Sequence, residues 1–222
     1  MSDVILKICG LQSVEVLKSM INLPIDYLGF VFAKSKRQVT SSQAVELLSV
    51  LSEWTSSHNP ESVGVFVNPT IEELQSLLAE VPLDVLQLHG SESPEFCREA
   101  SELFGLKIYK AFSVRDDESI HVEEILERYN GVLDGMLLDT YDPHYGGGSG
   151  VTFRWNLAAP YQTWAKNQGI PFLVAGGLHA GNVGELINTL APDGVDVSSG
   201  VESDEVKDIT KITAFVERVK GI

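Results

Sequence analysis

Residues 4–9 read VILKIC, and this short stretch decides the fold class. Apolar and β-branched residues predict a buried strand, yet polar groups stand at alternate positions, Lys7 and Cys9. Polar pairs at the same spacing recur at Gln87 and His89 and at Asp196 and Ser198. Central strands of an open parallel sheet are nearly uniformly apolar, because both of their faces are buried. The alternation therefore favours a closed barrel, in which one set of side chains points inward and its last members reach the mouth.

Seven further stretches of strand character follow, each separated from the next by a longer segment. They are YLGFVF (27–32), VGVFV (63–67), VLQLH (85–89), KIYKAF (107–112), GMLLD (135–139), PFLVAG (171–176) and GVDVSS (194–199). Parallel strands need crossover connections, which are usually helices. The alternation predicts an α/β protein, a (β/α)8 TIM barrel of eight parallel strands. No linker interrupts it, so we expect a single barrel domain over residues 1–222.

Several of the intervening segments have the i, i+3, i+4, i+7 spacing of an amphipathic helix. The apolar sets are Ile71, Leu74, Leu78 and Val81; Val183, Leu186, Ile187 and Leu190; and Ile209, Ile212, Val216 and Val219. Thr70 with Glu73 resembles a capping box, and Ser93 stands before Pro94 at a helix start. The long connection 140–170 contains a glycine-rich loop and predicts a short helix near 156–167.

The chain is strongly acidic, with 31 acidic and 16 basic side chains and a formal charge of −15. This balance argues against nucleic acid or an anionic membrane as the main partner. No signal peptide and no membrane-length apolar run are recognisable, and two cysteines do not suggest a disulfide scaffold. We expect a cytoplasmic protein, and its charge does not exclude a small anionic ligand, because a few backbone amides and cations can make a locally positive pocket.

Glycine and serine residues follow the last two predicted strands. Gly176 and Gly177 follow the seventh strand, and Ser198, Ser199 and Gly200 follow the eighth. These loops often bind phosphate in TIM barrels, since small residues leave backbone amides accessible. The glycines alone would fit tight turns equally well. Their position beside the serines favours a phosphate site.

Cys9 and Asp139 end predicted strands at the expected mouth. Cys9 is either a small buried apolar residue or a base whose thiolate is favoured by Lys7 two residues away. Asp139 follows an apolar run that could raise its pKa, which would suit a proton donor, although an ion pair with Lys7 or another barrel cation is the alternative.

A basic cluster, AKSKRQ (33–38), follows the second strand and contains Arg37. Such a cluster is usually solvated, but at the mouth its planar guanidinium could bind a ligand carboxylate. The run GGGSG (146–150) fits no nucleotide-binding motif and suggests a mobile lid. The histidines are scattered and make no metal-binding signature.

These segments resemble phosphoribosylanthranilate isomerase of tryptophan biosynthesis over essentially the whole chain. The matching motifs are KICG (7–10), GFVFAKSKR (29–37), VGVFVN (63–68), LQLHG (86–90), LLDT (137–140), GGSG with TF (147–153), AGGL (175–178) and VDVSSGVE (195–202). The resemblance implies an Amadori rearrangement of N-(5-phosphoribosyl)anthranilate to 1-(2-carboxyphenylamino)-1-deoxyribulose 5-phosphate. It also implies that the protein needs no cofactor and is a monomer or homodimer.

The resemblance further implies a role for each site residue. Asp139 would protonate the ribose ring oxygen, and Cys9 would remove the proton from the sugar C2. Arg37 would bind the anthranilate carboxylate, and Asp196 would lie near the substrate amine. The loops with Gly176, Gly177, Ser198, Ser199 and Gly200 would bind the phosphate.

The sequence departs from the family pattern at a few positions. Gln12 stands where threonine is usual, the glycine run is one residue longer, and TFRW (152–155) replaces TFDW. SDEV (203–206) replaces a Pro-Gly segment, which could alter the helix that completes the phosphate site. Two rivals remain: the histidine-pathway isomerase, which uses carboxylates in both roles, and a non-catalytic phosphosugar-binding barrel, which would not need Cys9 or Asp139.

Overall fold

The computed structural model describes residues 4–56, 59–113, 122–139 and 157–221, and parallel strands form a closed barrel in sequential order. These strands are β1 (Ile5–Cys9), β2 (Tyr27–Val31), β3 (Glu61–Phe66), β4 (Val85–Leu88), β5 (Lys107–Ser113), β6 (Gly135–Asp139), β7 (Phe172–Ala175) and β8 (Gly194–Val197). Strand β8 pairs with β1 and closes the ring. The predicted (β/α)8 barrel is confirmed, and the single domain over 1–222 stays a prediction.

The α-helices of the described part alternate with these strands. They are α1 (Val14–Met20), α2 (Ser41–Ser49), α3 (Ile71–Leu78), α4 (Pro94–Phe104), α5 (Val122–Glu127), α6 (Ala159–Gln168), α7 (Val183–Leu190) and α8 (Ile209–Lys220). The capping box at Thr70 and the Ser93 cap before Pro94 are both confirmed. The helix predicted near 156–167 is α6. Within the described ranges, no helix is both long and apolar enough to cross a membrane.

Two apolar clusters hold the fold together. The larger one lies between the strands and the helices and includes the predicted helix faces, such as Leu74, Leu186 and Val216. The smaller one comes from alternate strand positions: Val63, Val85, Tyr109, Ala111, Leu137, Leu173 and Ala175. Polar side chains at equivalent alternate positions, Lys7, Gln87 and Asp196, are also buried. The period-two alternation that predicted a closed barrel is therefore present in the structure.

Four aspartates repeat one contact at the N-terminal ends of the strands. Each stands immediately before an even-numbered strand and accepts a hydrogen bond from a backbone amide of the preceding odd strand. The pairs are Asp26 with Leu6, Asp84 with Ser62, Asp134 with Ile108 and Asp193 with Phe172, at 2.7, 2.7, 2.8 and 2.9 Å. Charge-assisted bonds of this kind are stronger than neutral ones. This contact, repeated every second strand, was not predicted from the sequence.

The eighth strand ends earlier than predicted, at Val197, and is followed by a short 3₁₀ turn over Ser199–Val201. A hairpin of β9 (Glu202–Ser203) and β10 (Val206–Lys207) comes next. Its two turn residues, Asp204 and Glu205, have φ angles of 50° and 66°. Both angles suit a type I′ turn, in which glycine or asparagine is usual. SDEV (203–206), the segment without the family's Pro-Gly, therefore forms a hairpin at the mouth.

Candidate active site

The thiol of Cys9 and the carboxylate of Asp139 stand at the same end of the barrel. Cys9 is the last residue of β1 and Asp139 the last of β6, three strands away around the ring. Gly29 on β2 makes room for the thiol, because a Cβ there would lie 2.8 Å from Sγ of Cys9. The two candidate catalytic groups therefore approach the mouth from different sides.

A buried ion pair lies beside Cys9. The Nζ of Lys7 donates to Oδ2 of Asp196 at 2.9 Å, between the neighbouring strands β1 and β8. Lys7 also interacts electrostatically with the Cys9 thiol, two residues along the same strand. Burial opposes the ammonium, but Asp196 and Cys9 together outweigh burial and raise the pKa of Lys7. The second oxygen of Asp196, Oδ1, is buried without a hydrogen-bond partner among the described residues.

The expectation that Lys7 makes a Cys9 thiolate available near neutral pH needs correction. Cys9 is only 8% exposed, and burial raises the pKa of its thiol. Lys7 and Lys207 lower that pKa, while the carboxylate of Asp196 raises it, and burial has the largest effect. A thiolate without water is costly in an apolar environment, so the resting side chain is a thiol. The nearby cations reduce this cost without removing it.

Asp139 belongs to a polar chain that extends into the barrel. Its Oδ2 lies 3.2 Å from Nε2 of His89, whose Nδ1 is 3.3 Å from the side-chain amide of Gln87. His89 and Asp139 are both partly exposed, with 27% and 23% of their side-chain surface accessible. Lys7 forms its ion pair with Asp196, not with Asp139.

Arg37 is neither fully solvated nor fully available to a ligand. Its Nε and Nη2 donate to Oε1 and Oε2 of Glu202 at 2.7 and 2.8 Å. Glu202 also accepts from Lys207 at 2.6 Å, and Lys207 donates to the backbone and hydroxyl oxygens of Ser198. Burial alone would raise the pKa of Glu202, but the two cations lower it to about 2. One edge of the Arg37 guanidinium is therefore already occupied.

The two predicted phosphate loops pack directly against each other. Gly176 and Gly177 have φ angles of 94° and 62°, which favour glycine. A Cβ on Gly200 would collide with the carbonyl oxygen of Leu178, so this close approach requires glycine. The loop residues Gly177 and Ser199 are exposed. The structure thus brings together the two loops that the sequence analysis singled out.

Some predicted features fall outside the described residues. These are the GGGSG run (146–150), the TFRW segment (152–155) and the last residue of LLDT (137–140). In the ranges that the structure does describe, no three His, Cys, Asp or Glu side chains are grouped as metal ligands.

Glu202 and Lys207 are parts of the site that the sequence did not predict. Both follow β8 in segments without strand alternation, and Arg37, the partner of Glu202, lies 165 residues from it in the chain. The sequence does contain one acidic residue at the end of VDVSSGVE (195–202), but only the fold shows that it lies beside the basic loop with Arg37.

A closed barrel with a thiol, a carboxylate–imidazole pair and two small-residue loops at the carboxyl ends of its strands defines a (β/α)8-barrel enzyme. The family model for N-(5'-phosphoribosyl)anthranilate (PRA) isomerase matches residues 6–218. The chain belongs to this family and is an isomerase. The family that the sequence motifs predicted is confirmed.

Relatives and solved structures agree with this assignment. The N-(5'-phosphoribosyl)anthranilate isomerase of Brevibacillus brevis is 45% identical over 97% of this chain and 93% of its own length. The crystal structure of phosphoribosyl anthranilate isomerase from Thermotoga maritima has a TM-score of 0.81 and 35% identity, covering 99% of this chain and 100% of that one. A structure of such an isomerase with reduced 1-(o-carboxyphenylamino)-1-deoxyribulose 5-phosphate has a TM-score of 0.77 and 32% identity, covering 99% and 100%.

Proposed function

We propose that the protein converts N-(5-phosphoribosyl)anthranilate to 1-(2-carboxyphenylamino)-1-deoxyribulose 5-phosphate in tryptophan biosynthesis, with Asp139 as general acid and Cys9 as general base. The observation that carries the residue assignment is the position of both groups at one mouth, on β1 and β6. A sugar bound between them would present its ring oxygen to one group and its C2 hydrogen to the other.

Asp139 acts first. Its carboxyl proton passes to the ring oxygen, the bond from that oxygen to C1 breaks, and the nitrogen lone pair forms a C1=N double bond. The product of this step is an open-chain iminium ion. His89, 3.2 Å from the carboxylate, then stabilises the negative charge left on Asp139. In this assignment the Asp139 carboxyl is protonated when the cycle begins.

Cys9 acts on the iminium ion. Its thiolate takes the proton from C2, and the electrons of that C–H bond form C1=C2 while the nitrogen becomes neutral. The resulting enolamine tautomerises: C1 gains a proton, the C2 hydroxyl loses one, and the ketone forms. The raised pKa of the thiol makes the thiolate a minor form at rest. The iminium charge beside C2 adds to that of Lys7 and favours the thiolate when it is needed.

Three other contacts bind the substrate in this proposal. Arg37 binds the anthranilate carboxylate with its remaining N–H groups. The buried Oδ1 of Asp196 accepts the N–H of the substrate amine, which supplies the partner that this oxygen lacks among the described residues. The amides of the loops at Gly176 and Gly177 and at Ser198, Ser199 and Gly200 bind the phosphate.

Further expectations belong to the same proposal. The reaction needs neither a metal ion nor an organic cofactor, and the protein acts in the cytoplasm as a monomer or homodimer. The reaction moves protons within one molecule and changes no net oxidation state, which supports the cofactor prediction. Size-exclusion chromatography with light scattering distinguishes the two assembly states.

The proposal is tested by following the fluorescence of phosphoribosylanthranilate that is formed in situ. We expect rapid conversion by the wild type and a fall of about 10²–10⁴-fold or more in Cys9→Ala and Asp139→Asn. Cys97→Ala is the matched control, because Cys97 is buried in α4 and the mechanism does not use it. A folded wild type that does not accelerate the conversion would reject the proposed reaction. Full turnover by either catalytic variant would reject that residue's role.

A further inference from the structure

The carboxylate of Glu202 fixes the orientation of the Arg37 guanidinium. Two parallel hydrogen bonds, at 2.7 and 2.8 Å, join the Nε–Nη2 edge of Arg37 to both oxygens of Glu202. A bidentate pair of this kind sets the plane of the guanidinium as well as its position. The opposite edge, which carries Nη1, therefore has a defined direction before any ligand arrives.

The stem of Arg37 passes directly over the end of β1. A Cβ on Gly10 would lie 2.5 Å from Cδ of Arg37 and 3.2 Å from the Ser198 hydroxyl. Gly10 follows Cys9, so the guanidinium is held beside the candidate base and the loop after β8. Its partner Glu202 has only 7% of its side-chain surface exposed.

Glu202 is itself held by a second cation. Lys207 binds Oε1 of Glu202 at 2.6 Å and donates to the Ser198 backbone oxygen at 2.9 Å. Two cations and one carboxylate leave one positive charge in this group, within a chain of formal charge −15. Glu202 thus orients Arg37 without cancelling the charge that would attract an anionic substrate.

We propose that Glu202 is a positioning residue that directs the free edge of Arg37 toward the carboxylate on the substrate's aromatic ring. Lys207 supports this role by holding Glu202 against the loop of Ser198. The inference rests on the proposed function, because it takes Arg37 as the group that binds the carboxylate. If Glu202 has this role, the affinity of the site for the ring carboxylate depends on a residue that does not contact the ligand.

The test compares two ligands by calorimetry: reduced 1-(o-carboxyphenylamino)-1-deoxyribulose 5-phosphate and its phenylamino counterpart without the ring carboxylate. In Glu202→Gln we expect the first ligand to bind about tenfold or more weakly, the size of one charge-assisted hydrogen bond. The second ligand should keep its wild-type affinity. With substrate, KM should rise while kcat changes little, since the lost contact serves the ground state and the transition state alike.

Glu205→Gln is the matched control. Glu205 lies on the same hairpin and pairs with Lys36, the neighbour of Arg37, but this pair is exposed. The substitution removes the same charge and should leave both ligand affinities unchanged. An exposed ion pair of this kind contributes little.

Several results would overturn the inference. Equal weakening of both ligands in Glu202→Gln would indicate a general structural role. Unchanged or tighter binding of the carboxylated ligand would mean that Glu202 is irrelevant or competes with it for Arg37. In an Arg37→Ala background, Glu202→Gln should no longer alter the preference between the ligands, and a persisting effect would also contradict the proposal.

A second variant keeps the test valid if Glu202→Gln does not fold. Glu202→Asp keeps the charge but shortens the side chain, so it should weaken the carboxylated ligand selectively and by a smaller factor; no selective loss would count against the inference. A folded wild type without isomerase activity would reject the proposed function, and the comparison of ligands would still report on Glu202 separately.

Discussion

Lys7 and Asp196 form a buried ion pair with an Nζ–Oδ2 distance of 2.9 Å, and they are register neighbours on β1 and β8 where the barrel closes. Burying both charges is costly, and the pair offsets this cost only while both members are present. Because Lys7 also interacts electrostatically with Cys9, the pair links the closure of the barrel to the candidate base.

Replacing Lys7 by methionine should therefore destabilise the protein strongly. Asp196 would be left as an uncompensated buried charge, for which a loss of about 3–5 kcal/mol in the free energy of unfolding is expected. The double variant Lys7→Met, Asp196→Asn should recover much of that loss. Urea denaturation of both variants measures the difference. A double variant as unstable as the single one would show that the ion pair is not the cause.

The reactivity of Cys9 should increase toward alkaline pH. Burial raises the pKa of this thiol, so the reactive thiolate should be scarce at neutral pH and accumulate as the pH rises. We expect the rate of alkylation by iodoacetamide to be still increasing above pH about 8.5, the ordinary thiol value. A Cys97→Ser protein removes the second thiol, whose own pKa is raised to about 11 by burial. A rate that reaches its plateau below neutral pH would contradict the assignment of a resting thiol.

The aspartates before the even strands should stabilise the barrel without affecting catalysis. Asp84 accepts hydrogen bonds from the backbone amide and the hydroxyl of Ser62, both at 2.7 Å. We expect Asp84→Ala to lower the free energy of unfolding by about 1–3 kcal/mol, because the amide loses a charged acceptor. Since this end lies opposite the mouth, kcat should stay unchanged. Glu80→Ala, at a nearby exposed position, is the control. Equal stability of the two variants would mean that the hydrogen bonds of Asp84 do not stabilise the barrel.

The stability contributed by Glu202 should disappear in acid. Its pKa falls from the ordinary 4.5 to about 2 because Arg37 and Lys207 outweigh the effect of burial. A carboxyl whose folded pKa is depressed contributes stability above its unfolded pKa and loses it as the pH falls through the folded value. The wild type should therefore lose more stability than Glu202→Gln between pH about 4.5 and 2. Parallel curves of Tm against pH for the two proteins would refute this.

The barrel could be predicted because strand alternation is a local signal. In VILKIC (4–9) the two polar residues expected to point into the barrel, Lys7 and Cys9, lie within six residues of sequence. The structure confirms this stretch as strand β1, which begins at Ile5. Strand ends were less predictable, since Ser198 continues the same alternation but belongs to the turn after β8. Two of the repeated aspartates stand in similar segments, IDYL (25–28) and LDVL (83–86), but this similarity alone does not predict their contacts with the preceding strands.

The electrostatics of the site depend on distant pairs and could not be read locally. The sequence suggested that Lys7 would favour a Cys9 thiolate, but the effect of burial is known only once the barrel is closed. Likewise, Arg37 was predicted at the mouth, whereas its pairing with Glu202 requires the hairpin after β8 to fold back over β1. Register and burial, rather than residue type, set these properties.

The role of Cys9 is tested most directly by single-turnover kinetics with enzyme in excess over phosphoribosylanthranilate. We predict that Cys9→Ala binds the reduced product analogue with nearly wild-type affinity but converts bound substrate at least about 10²-fold more slowly, as expected when a general base is lost. Cys97→Ala should match the wild type in both measurements. A Cys9→Ala protein that converts bound substrate at the wild-type rate would contradict the account.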